Sequence, residues 1–323
     1  MAEWLLERGI GEDRAVRIER GEIAEARLDW PGALVAGEVA DAVLVARAAG
    51  SSRGTARWPH GEEALVGKLP RDVSEGAPLR LEVTRAAIGE RGRLKRAQAR
   101  PTTREPVRPD LAARLAAEGH TVREVRRFPE GDWDALTTEA LTGEVAFAGG
   151  ALLFAPTPAM TVVDIDGALP SSQLALAAIP ALASALRRLD LGGSIAVDFP
   201  TLADKADRRA VDGALCAALV DWPHERTAMN GFGLVQIVAR LERPSLLHRA
   251  RHSRTALLAR QLLRRAEAVA EPGALLLTLH PALEARLTPE RLAELARRTG
   301  REVRVATEPK LALEGAFAQA VPV

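Results

Sequence analysis

Apolar and polar residues alternate with a period of two along much of the N-terminal third of the chain. Segments such as EWLLERG, AVRIERGEI and EARLDW fit short strands joined at glycines, because successive residues of a strand face opposite sides. Between residues 37 and 100, similar runs (GEVADAVLVARA, EALVGKL, PLRLEVTRA) are separated by glycine-rich and polar turns. This spacing of short strands predicts a small β-barrel of the OB type.

The middle of the chain mixes helix and strand patterns. After the proline-bearing linker RPTTREPVRPD we predict a helix that is capped by Asp110 and stopped by Gly119. TVREVRRF then fits a strand, and WDALTTEAL a helix that begins near Asp132 or Asp134. GALLFAP and AMTVVDID fit two further strands. The long segment SSQLALAAIPALASALRRLD predicts a helix opened by Ser171 or Ser172, which Pro180 should kink or break.

Strands and helices continue to alternate towards the C-terminus. SIAVDF, ALLLTLHP and REVRVAT fit strands, and REVRVAT is expected to be the final strand. LADKADRRAVDGALCAALVDW, SRTALLARQLLRRAEAVA and LTPERLAELARRTG fit helices. The alternation predicts an α/β protein with mixed sheets and crossover helices, ending in a small α/β module.

Composition narrows the class of protein. With 323 residues, 47% of them hydrophobic, the chain is long enough for two or three packed units. Its first residues lack the pattern of a signal peptide, and no apolar run is long enough to span a membrane. We therefore expect a cytoplasmic protein without a membrane partner. The single cysteine, Cys216, excludes an intrachain disulfide and a cysteine zinc site, and is expected in the core of its helix.

Positive charge is concentrated in two segments although the net charge is only +1. Seven basic residues against one acid lie between Arg85 and Arg104, and eight arginines against Glu242 alone lie between Arg240 and Arg265. Such segments suit contact with phosphates. The alternative is that they are solvated surface, because 40 of the 44 basic residues are arginine, a bias that genome composition also produces.

The candidate chemistry lies in two predicted strands. In TVVDIDG, alternation places Asp164 and Asp166 on one face of a strand, and in SIAVDF the third carboxylate, Asp198, follows an apolar run. If the two strands are neighbours, the three acids converge. Clustered carboxylates repel unless a hard divalent cation binds them, and Mg²⁺ or Mn²⁺ is the natural choice. The alternative is a D-x-D segment that only caps a helix or fastens a turn.

Three segments resemble, in order and spacing, the catalytic core of the ribonuclease E/G family: EVAFAGGALLFAPTPAMTVVDIDG, LRRLDLGGSIAVDF and MNGFGLVQIVARLERPSL. Weaker similarity extends over nearly the whole chain. The resemblance implies that Asp164 and Asp198 bind the catalytic magnesium. The family's asparagine is replaced here by Asp166, which keeps an oxygen ligand but adds a charge.

The resemblance also implies an architecture. Residues 1–36 and 128–155 would form a ribonuclease H-like unit, interrupted by an OB-type RNA-binding barrel at 37–100 and a linker or reduced sensor region at 101–127. Residues 156–248 would form a DNase I-like catalytic domain and 249–323 a small C-terminal α/β domain. The candidate RNA contacts, each of which could equally be a solvated ion pair or a structural residue, are Arg226, Asn230, Arg240, Lys205, Lys95, Arg96 and Trp58.

Three features of that family are missing from the sequence. The segment between the barrel and Gly131 is too short for the usual pocket that senses a 5′-monophosphate. The paired cysteines of the intersubunit zinc link are replaced by RARHSR, so no zinc is expected, and a homodimer would form without that link. Trp58 is the only aromatic residue between Ala36 and Arg100, so the barrel should hold single strands mainly by charge.

These observations favour one function and leave two others open. The favoured function is a magnesium-dependent endoribonuclease that cleaves single-stranded RNA in processing or decay. The first alternative is an RNA-binding or regulatory protein, derived from the same family, that has lost turnover. The second is a metal phosphodiesterase acting on DNA or on a small nucleotide, since three acids alone do not define the substrate.

Overall fold

A computed structural model of the chain describes residues 3–90 and 92–323. The strands of its N-terminal part are β1 (Glu3–Gly9), β2 (Glu12–Glu19), β3 (Glu22–Asp29), β4 (Val39–Arg47), β5 (Gly54–Arg57), β6 (Glu63–Val66), β7 (Pro78–Arg85), β8 (Ile88–Glu90), β9 (Arg93–Lys95), β10 (Ala97–Pro101) and β11 (Thr121–Val125). Two helices accompany these strands: α1 (Leu111–Ala117) precedes β11, and α2 (Trp133–Thr142) follows it.

The C-terminal part contains strands β12 (Glu144–Phe147), β13 (Gly150–Pro156), β14 (Thr161–Gly167), β15 (Gly193–Asp198), β16 (His224–Arg226), β17 (Leu234–Ala239), β18 (Ala274–Leu279), β19 (Val303–Thr307) and β20 (Phe317–Val321). Its α-helices are α3 (Ser171–Arg188), α4 (Lys205–Ala218), α5 (Leu246–His252), α6 (Arg254–Ala266) and α7 (Pro289–Thr299). Two short 3-10 helices cover Pro281–Arg286 and Leu313–Gly315.

The first sheet joins the N-terminal strands to a strand from beyond the barrel. Its order is β11-β1-β2-β3, and β11 runs parallel to β1 with Thr121 opposite Glu3. The chain therefore leaves this sheet after β3, builds the barrel, and returns to the sheet's other edge. Helix α1 begins as predicted, because the Asp110 carboxylate accepts a 2.8 Å hydrogen bond from the Ala113 N–H.

The barrel predicted between residues 37 and 100 is confirmed as a closed five-stranded barrel of order β10-β6-β5-β4-β7. Its interior is filled by apolar side chains, among them Leu44, Trp58 and Leu81, none of which is more than 2% exposed. Strands β8 and β9 form a separate hairpin beside the barrel. Arg91, one of the basic residues of this segment, lies outside the described residues.

The third sheet has six strands in the order β12-β13-β14-β15-β17-β16. Strands β14 and β15 run parallel, and the chain between them forms α3, because a parallel pair needs a long crossover connection. Alternate residues of the central strands, including Val163, Ile195 and Val235, are fully buried in one core with α3 and α4. The helices thus cover one face of this sheet.

Helix α3 differs from its prediction at two points. It runs without interruption from Ser171 to Arg188 although Pro180 lies inside it. Pro180 is on the exposed side of the helix, as is Leu176 four residues earlier, so water can reach the carbonyl that Pro180 leaves without a donor. The N-cap residue is Pro170 rather than one of the serines, and no side chain caps this end.

The C-terminal module is a three-stranded sheet of order β19-β18-β20 packed against α6. The prediction that β19 is the last strand was wrong, since β20 pairs antiparallel with β18. Helix α5 was also missed, because its seven residues carry too few apolar positions to show a helical period. Cys216 was expected in a helix core, but it lies exposed on α4.

Taken over the described residues, the chain is a mixed α/β protein with several sheets and a closed five-stranded barrel. None of the helices in residues 3–90 and 92–323 has both the length and the apolar character that a bilayer crossing requires.

Candidate active site

Strand β14 presents two aspartates on the face of the six-stranded sheet that the helices leave open. Val163 and Ile165 point into the core, where they are 0% and 6% exposed, whereas Asp164 and Asp166 are exposed. The alternation predicted from TVVDIDG is therefore confirmed. Its physical cause is that successive side chains of a strand point to opposite faces of the sheet.

Asp164 and Asp198 lie directly opposite each other on neighbouring parallel strands. They are the last register pair between β14 and β15, and the Cα atoms of adjacent strands are about 5 Å apart. Asp198 is the final residue of β15 and is exposed on the same open face. This pairing arises because the crossover helix α3 returns the chain so that β15 lies parallel to β14. Two carboxylates thus stand side by side, Asp198 at the carboxyl end of β15 and Asp164 at the middle of β14.

Asp166 does not pair with a residue of β15. Strand β15 ends at Asp198, so Asp166 has no partner there and lies about 7 Å farther along β14 than Asp164. On its other side it faces Ala151 of β13. Within residues 3–90 and 92–323, no three His, Cys, Asp or Glu residues form a group that could hold a metal ion. The arrangement is a close pair of carboxylates with a third acid one step away.

The three acids differ from several other acids of the chain in having no positive partner among the described residues. In the part of the chain that the structure describes, none of them forms an ion pair, whereas Glu139 pairs with Arg188, Asp190 with Arg243 and Asp212 with Arg226. The one hydrogen bond of the group is local, from the Ile165 N–H to an Asp164 carboxylate oxygen at 3.0 Å. Exposed carboxylate oxygens without an arginine are suitable ligands for a hard divalent cation, so this donor set fits Mg²⁺ or Mn²⁺.

The loop between β16 and β17 borders the acids and is shaped by Asn230. The side-chain oxygen of Asn230 accepts hydrogen bonds from the N–H groups of Phe232 and Leu234, at 2.9 and 3.0 Å. The Gly233 carbonyl accepts a 3.2 Å bond from the Phe199 N–H, directly after Asp198. Gly233 has a φ of +90° and approaches the Phe199 carbonyl so closely that a side chain would not fit. Asn230 therefore holds the loop next to Asp198.

Phe232, at the tip of this loop, was missed in the sequence analysis. It is 83% exposed, which is unusual for a large apolar side chain. The register pair of Asp198 and Leu234 places the loop beside the acids. The signal in the sequence was a phenylalanine between two glycines, in MNGFG, where a turn rather than a core position is expected.

The other candidate contacts in this domain are scattered. Lys205 begins α4 seven residues after Asp198, at the same edge of the sheet, and is exposed. Arg226 pairs in register with the buried Ile237, so it faces the helices, where it donates a 2.5 Å bond to Asp212. Arg240 follows the other end of β17, six residues or about 20 Å from the residue opposite Asp198. Only Lys205 and Asn230 therefore lie near the acids.

The barrel candidates lie in or beside the barrel and the β8–β9 hairpin, outside the six-stranded sheet that carries the acids. Lys95 lies 3.4 Å from Glu90 within the β8–β9 hairpin, and Arg96 lies 3.7 Å from Glu63. The hairpin itself packs on α5. Trp58 is only 2% exposed, because its ring fills the barrel interior. The expectation that Trp58 contacts RNA is therefore corrected, since a buried ring has no face on which a base can stack.

A scan of the chain against protein-family models gives no match, and a search of curated proteins gives none either.

Proposed function

We propose that this chain is a magnesium-dependent endoribonuclease that cleaves single-stranded RNA. The observation that carries the proposal is the register pair of Asp164 and Asp198. Both are exposed on the open face of the six-stranded sheet, and within residues 3–90 and 92–323 neither has a basic side chain as a partner. Keeping two carboxylates side by side is electrostatically unfavourable unless something positive binds them. The resemblance of the surrounding segments to the ribonuclease E/G family supports the same assignment.

The proposed architecture follows that family. The ribonuclease H-like unit, expected at residues 1–36 and 128–155, would instead be the sheet β11-β1-β2-β3, whose strands come from both sides of the inserted barrel. β11 lies in the region expected to be a linker, and β12 and β13, expected in this unit, belong to the six-stranded sheet. The closed barrel would be of the OB type. The six-stranded sheet with α3 and α4 would be the DNase I-like catalytic unit, and the sheet β19-β18-β20 the small C-terminal domain. A homodimer of this form would assemble without a zinc link.

In the proposed mechanism, Asp164 and Asp198 are the residues that would hold the metal. A bound Mg²⁺ would supply a more acidic water and neutralise charge that develops on the phosphate. Asp166, one step along β14, would accept a hydrogen bond from the attacking water and so orient it. Exposed Phe232 offers a face on which an unpaired base can stack. Lys205 can contact a backbone phosphate at the same edge.

A second function, RNA binding without turnover, has one specific observation in its favour. The third acid stands apart from the pair, so the described residues offer two close carboxylates rather than three. The barrel also presents no exposed aromatic ring, because its one tryptophan is buried. A protein that binds RNA by charge alone would keep its basic segments but would lose nothing when the carboxylates are neutralised.

One assay separates these functions. An end-labelled, A/U-rich single-stranded RNA is incubated with the protein in magnesium or in EDTA, beside Asp198→Asn and the control Asp221→Asn. Asp221 is an exposed acid in the turn after α4, at the opposite end of the sheet. We expect internal cuts that require magnesium, that persist in Asp221→Asn, and that fall by about 100- to 1000-fold in Asp198→Asn.

Two outcomes would contradict the proposal. If the wild-type protein binds the RNA without cutting it in magnesium, and Asp198→Asn binds equally well, the chain is an RNA-binding protein. If Asp198→Asn cuts at the wild-type rate, the site lies elsewhere. A single-stranded DNA of the same sequence, run in parallel, tests the remaining alternative, a phosphodiesterase that acts on DNA.

A further inference from the structure

A second charged site lies between the C-terminal module and the end of β3. It is a cavity of about 430 Å³, which we call the arginine pocket, lined by Trp30, by the Arg251–Ala256 segment and by Arg260, Arg286 and Arg291. Five of these lining residues are arginines, and no Asp or Glu among the described residues lines the pocket. Part of this lining is the RARHSR segment, to which the proposed nuclease activity assigns no role.

Four of the five arginines of this pocket form no ion pair within residues 3–90 and 92–323. Among the described residues, only Arg254 is paired with a carboxylate, that of Glu314 at 2.5 Å. Arg291 donates a 2.5 Å bond to the backbone carbonyl of Arg286, and Arg286 reaches the Thr255 hydroxyl at 3.4 Å. Neutral acceptors satisfy some N–H groups but carry no negative charge of their own. Gathering such charges is unfavourable unless an anion joins them.

Arg260 is the most informative member of the group. It is only 7% exposed, and it is held by the carbonyls of Gly11 and Ala256, at 2.8 and 2.9 Å, with its guanidinium over the Trp30 ring. Burial, followed by the charge of Arg291, lowers the pKa of Arg260 to about 10. The charge of Glu12 acts on Arg260 only at a distance longer than an ion pair. A guanidinium that is buried without an ion-pair partner and lines a cavity is a built feature rather than a solvated surface charge.

The N-terminus of α6 opens into the same pocket. This helix has 13 residues and begins after Ser253, whose side chain makes no capping hydrogen bond. The first N–H groups of a helix carry partial positive charge and are common contacts for phosphate. Guanidinium groups bind phosphate oxygens in pairs, with a geometry that a single chloride cannot exploit.

We propose that the arginine pocket binds an oligophosphate group, carried either by a free nucleoside diphosphate or triphosphate or by the phosphorylated end of an RNA. The volume of the pocket is within the range of small-molecule sites and is larger than one phosphate needs. The four arginines without a carboxylate match an anion with several negative charges better than a single phosphodiester. This site is separate from the aspartates, and its occupation does not depend on nuclease activity.

Calorimetric titration of the full chain with inorganic pyrophosphate in low salt tests the proposal. The test variant is Arg251→Gln with Arg286→Gln, both exposed residues, and the control is Arg71→Gln, an exposed arginine of the barrel. We expect saturable binding at one site per chain, unchanged in the control and weakened about tenfold for each pocket arginine removed. Arg286→Glu should weaken binding more than Arg286→Gln does, because it adds a negative charge to the pocket. Thermal unfolding checks that each variant is folded.

Absence of saturable binding by the folded wild-type protein, or equal affinity in the folded double variant, would overturn the proposal. Competition then assigns the source of the phosphates. If ADP displaces pyrophosphate as well as an RNA with a 5′-triphosphate does, the ligand is a free nucleotide. If the triphosphate RNA competes far better than ADP and than the same RNA with a 5′-hydroxyl, the ligand is an RNA end.

Discussion

Two pairs of carboxylates in this protein have opposite surroundings. Glu7 and Glu12, on β1 and β2, are buried, with side-chain exposures of 5% and 3%, and both bind Arg14. Glu7 also receives a 2.9 Å bond from Arg264 of α6, which ties the first sheet to the C-terminal module. Asp164 and Asp198 are exposed and, among the described residues, have no cation.

The difference shows which acids hold the fold and which are available for chemistry. A buried carboxylate must be neutralised by the protein itself, so Glu7 and Glu12 have arginine partners at fixed positions. An exposed pair can remain hydrated during folding and bind its cation afterwards. Removing a charge should therefore destabilise the protein at the first pair and impair metal-dependent activity at the second.

The largest effect on stability is expected from Arg14→Ala. It leaves Glu12 without its arginine and Glu7 with Arg264 alone, in a region where the Arg14 side chain is 1% exposed. We expect the free energy of unfolding to fall by about 3 to 5 kcal/mol. Urea unfolding measures it, with Asp198→Asn as the matched variant, expected within about 0.5 kcal/mol of wild type. If both variants lose similar amounts of unfolding free energy, the buried and the exposed carboxylate pairs do not differ in their contribution to stability.

The buried pair should also make stability depend on pH. Burial raises the pKa of Glu7, but the hydrogen bonds and charges of Arg264 and Arg14 outweigh it and hold the pKa below the ordinary 4.5. Because the folded pKa is depressed, the stability that Glu7 contributes is present above pH 4.5 and is lost as the pH falls through the folded value. Unfolding at a series of pH values should show a smaller acid dependence in Glu7→Gln than in wild type. An unchanged dependence would exclude Glu7 as its source.

The variant Phe232→Ala tests whether RNA binds at the open face of the six-stranded sheet. If the exposed ring stacks a base beside the aspartates, RNA affinity should fall about fivefold or more, while stability remains unchanged. Fluorescence anisotropy with a labelled single strand measures the affinity. Phe317→Ala, an exposed phenylalanine of the C-terminal sheet, is the control and should bind normally. If both variants bind the RNA with equal affinity, the Phe232 ring does not contribute to RNA binding.

The smallest effect is expected from Asp166→Asn. Asp166 has no register partner on β15, and an amide oxygen can still accept a hydrogen bond from water. We expect cleavage to change by less than about fivefold, far below the loss in Asp198→Asn. Magnesium titration of the cleavage rate measures it. A loss as large as that of Asp198→Asn would make Asp166 a full member of the metal site.

Local sequence patterns predicted many of the elements correctly. Helix α1 begins at the expected Asp110 cap, and β14 places Asp164 and Asp166 on the expected face. Both features depend on residues within a few positions of one another. Helix α5 and β20 were missed because seven and five residues carry too little periodic signal, and β20 is defined by its pairing with β18.

The sequence by itself determined which side of its strand each aspartate occupies, because the period of a strand is a local property. Only the tertiary structure decided that Asp198 stands opposite Asp164, since the path of α3 sets that register. It also decided that Trp58 is enclosed by the barrel, and that Trp30 and Arg291 line one cavity although 261 positions separate them. Burial and long-range proximity are properties of the packed chain, so residue type alone does not reveal them.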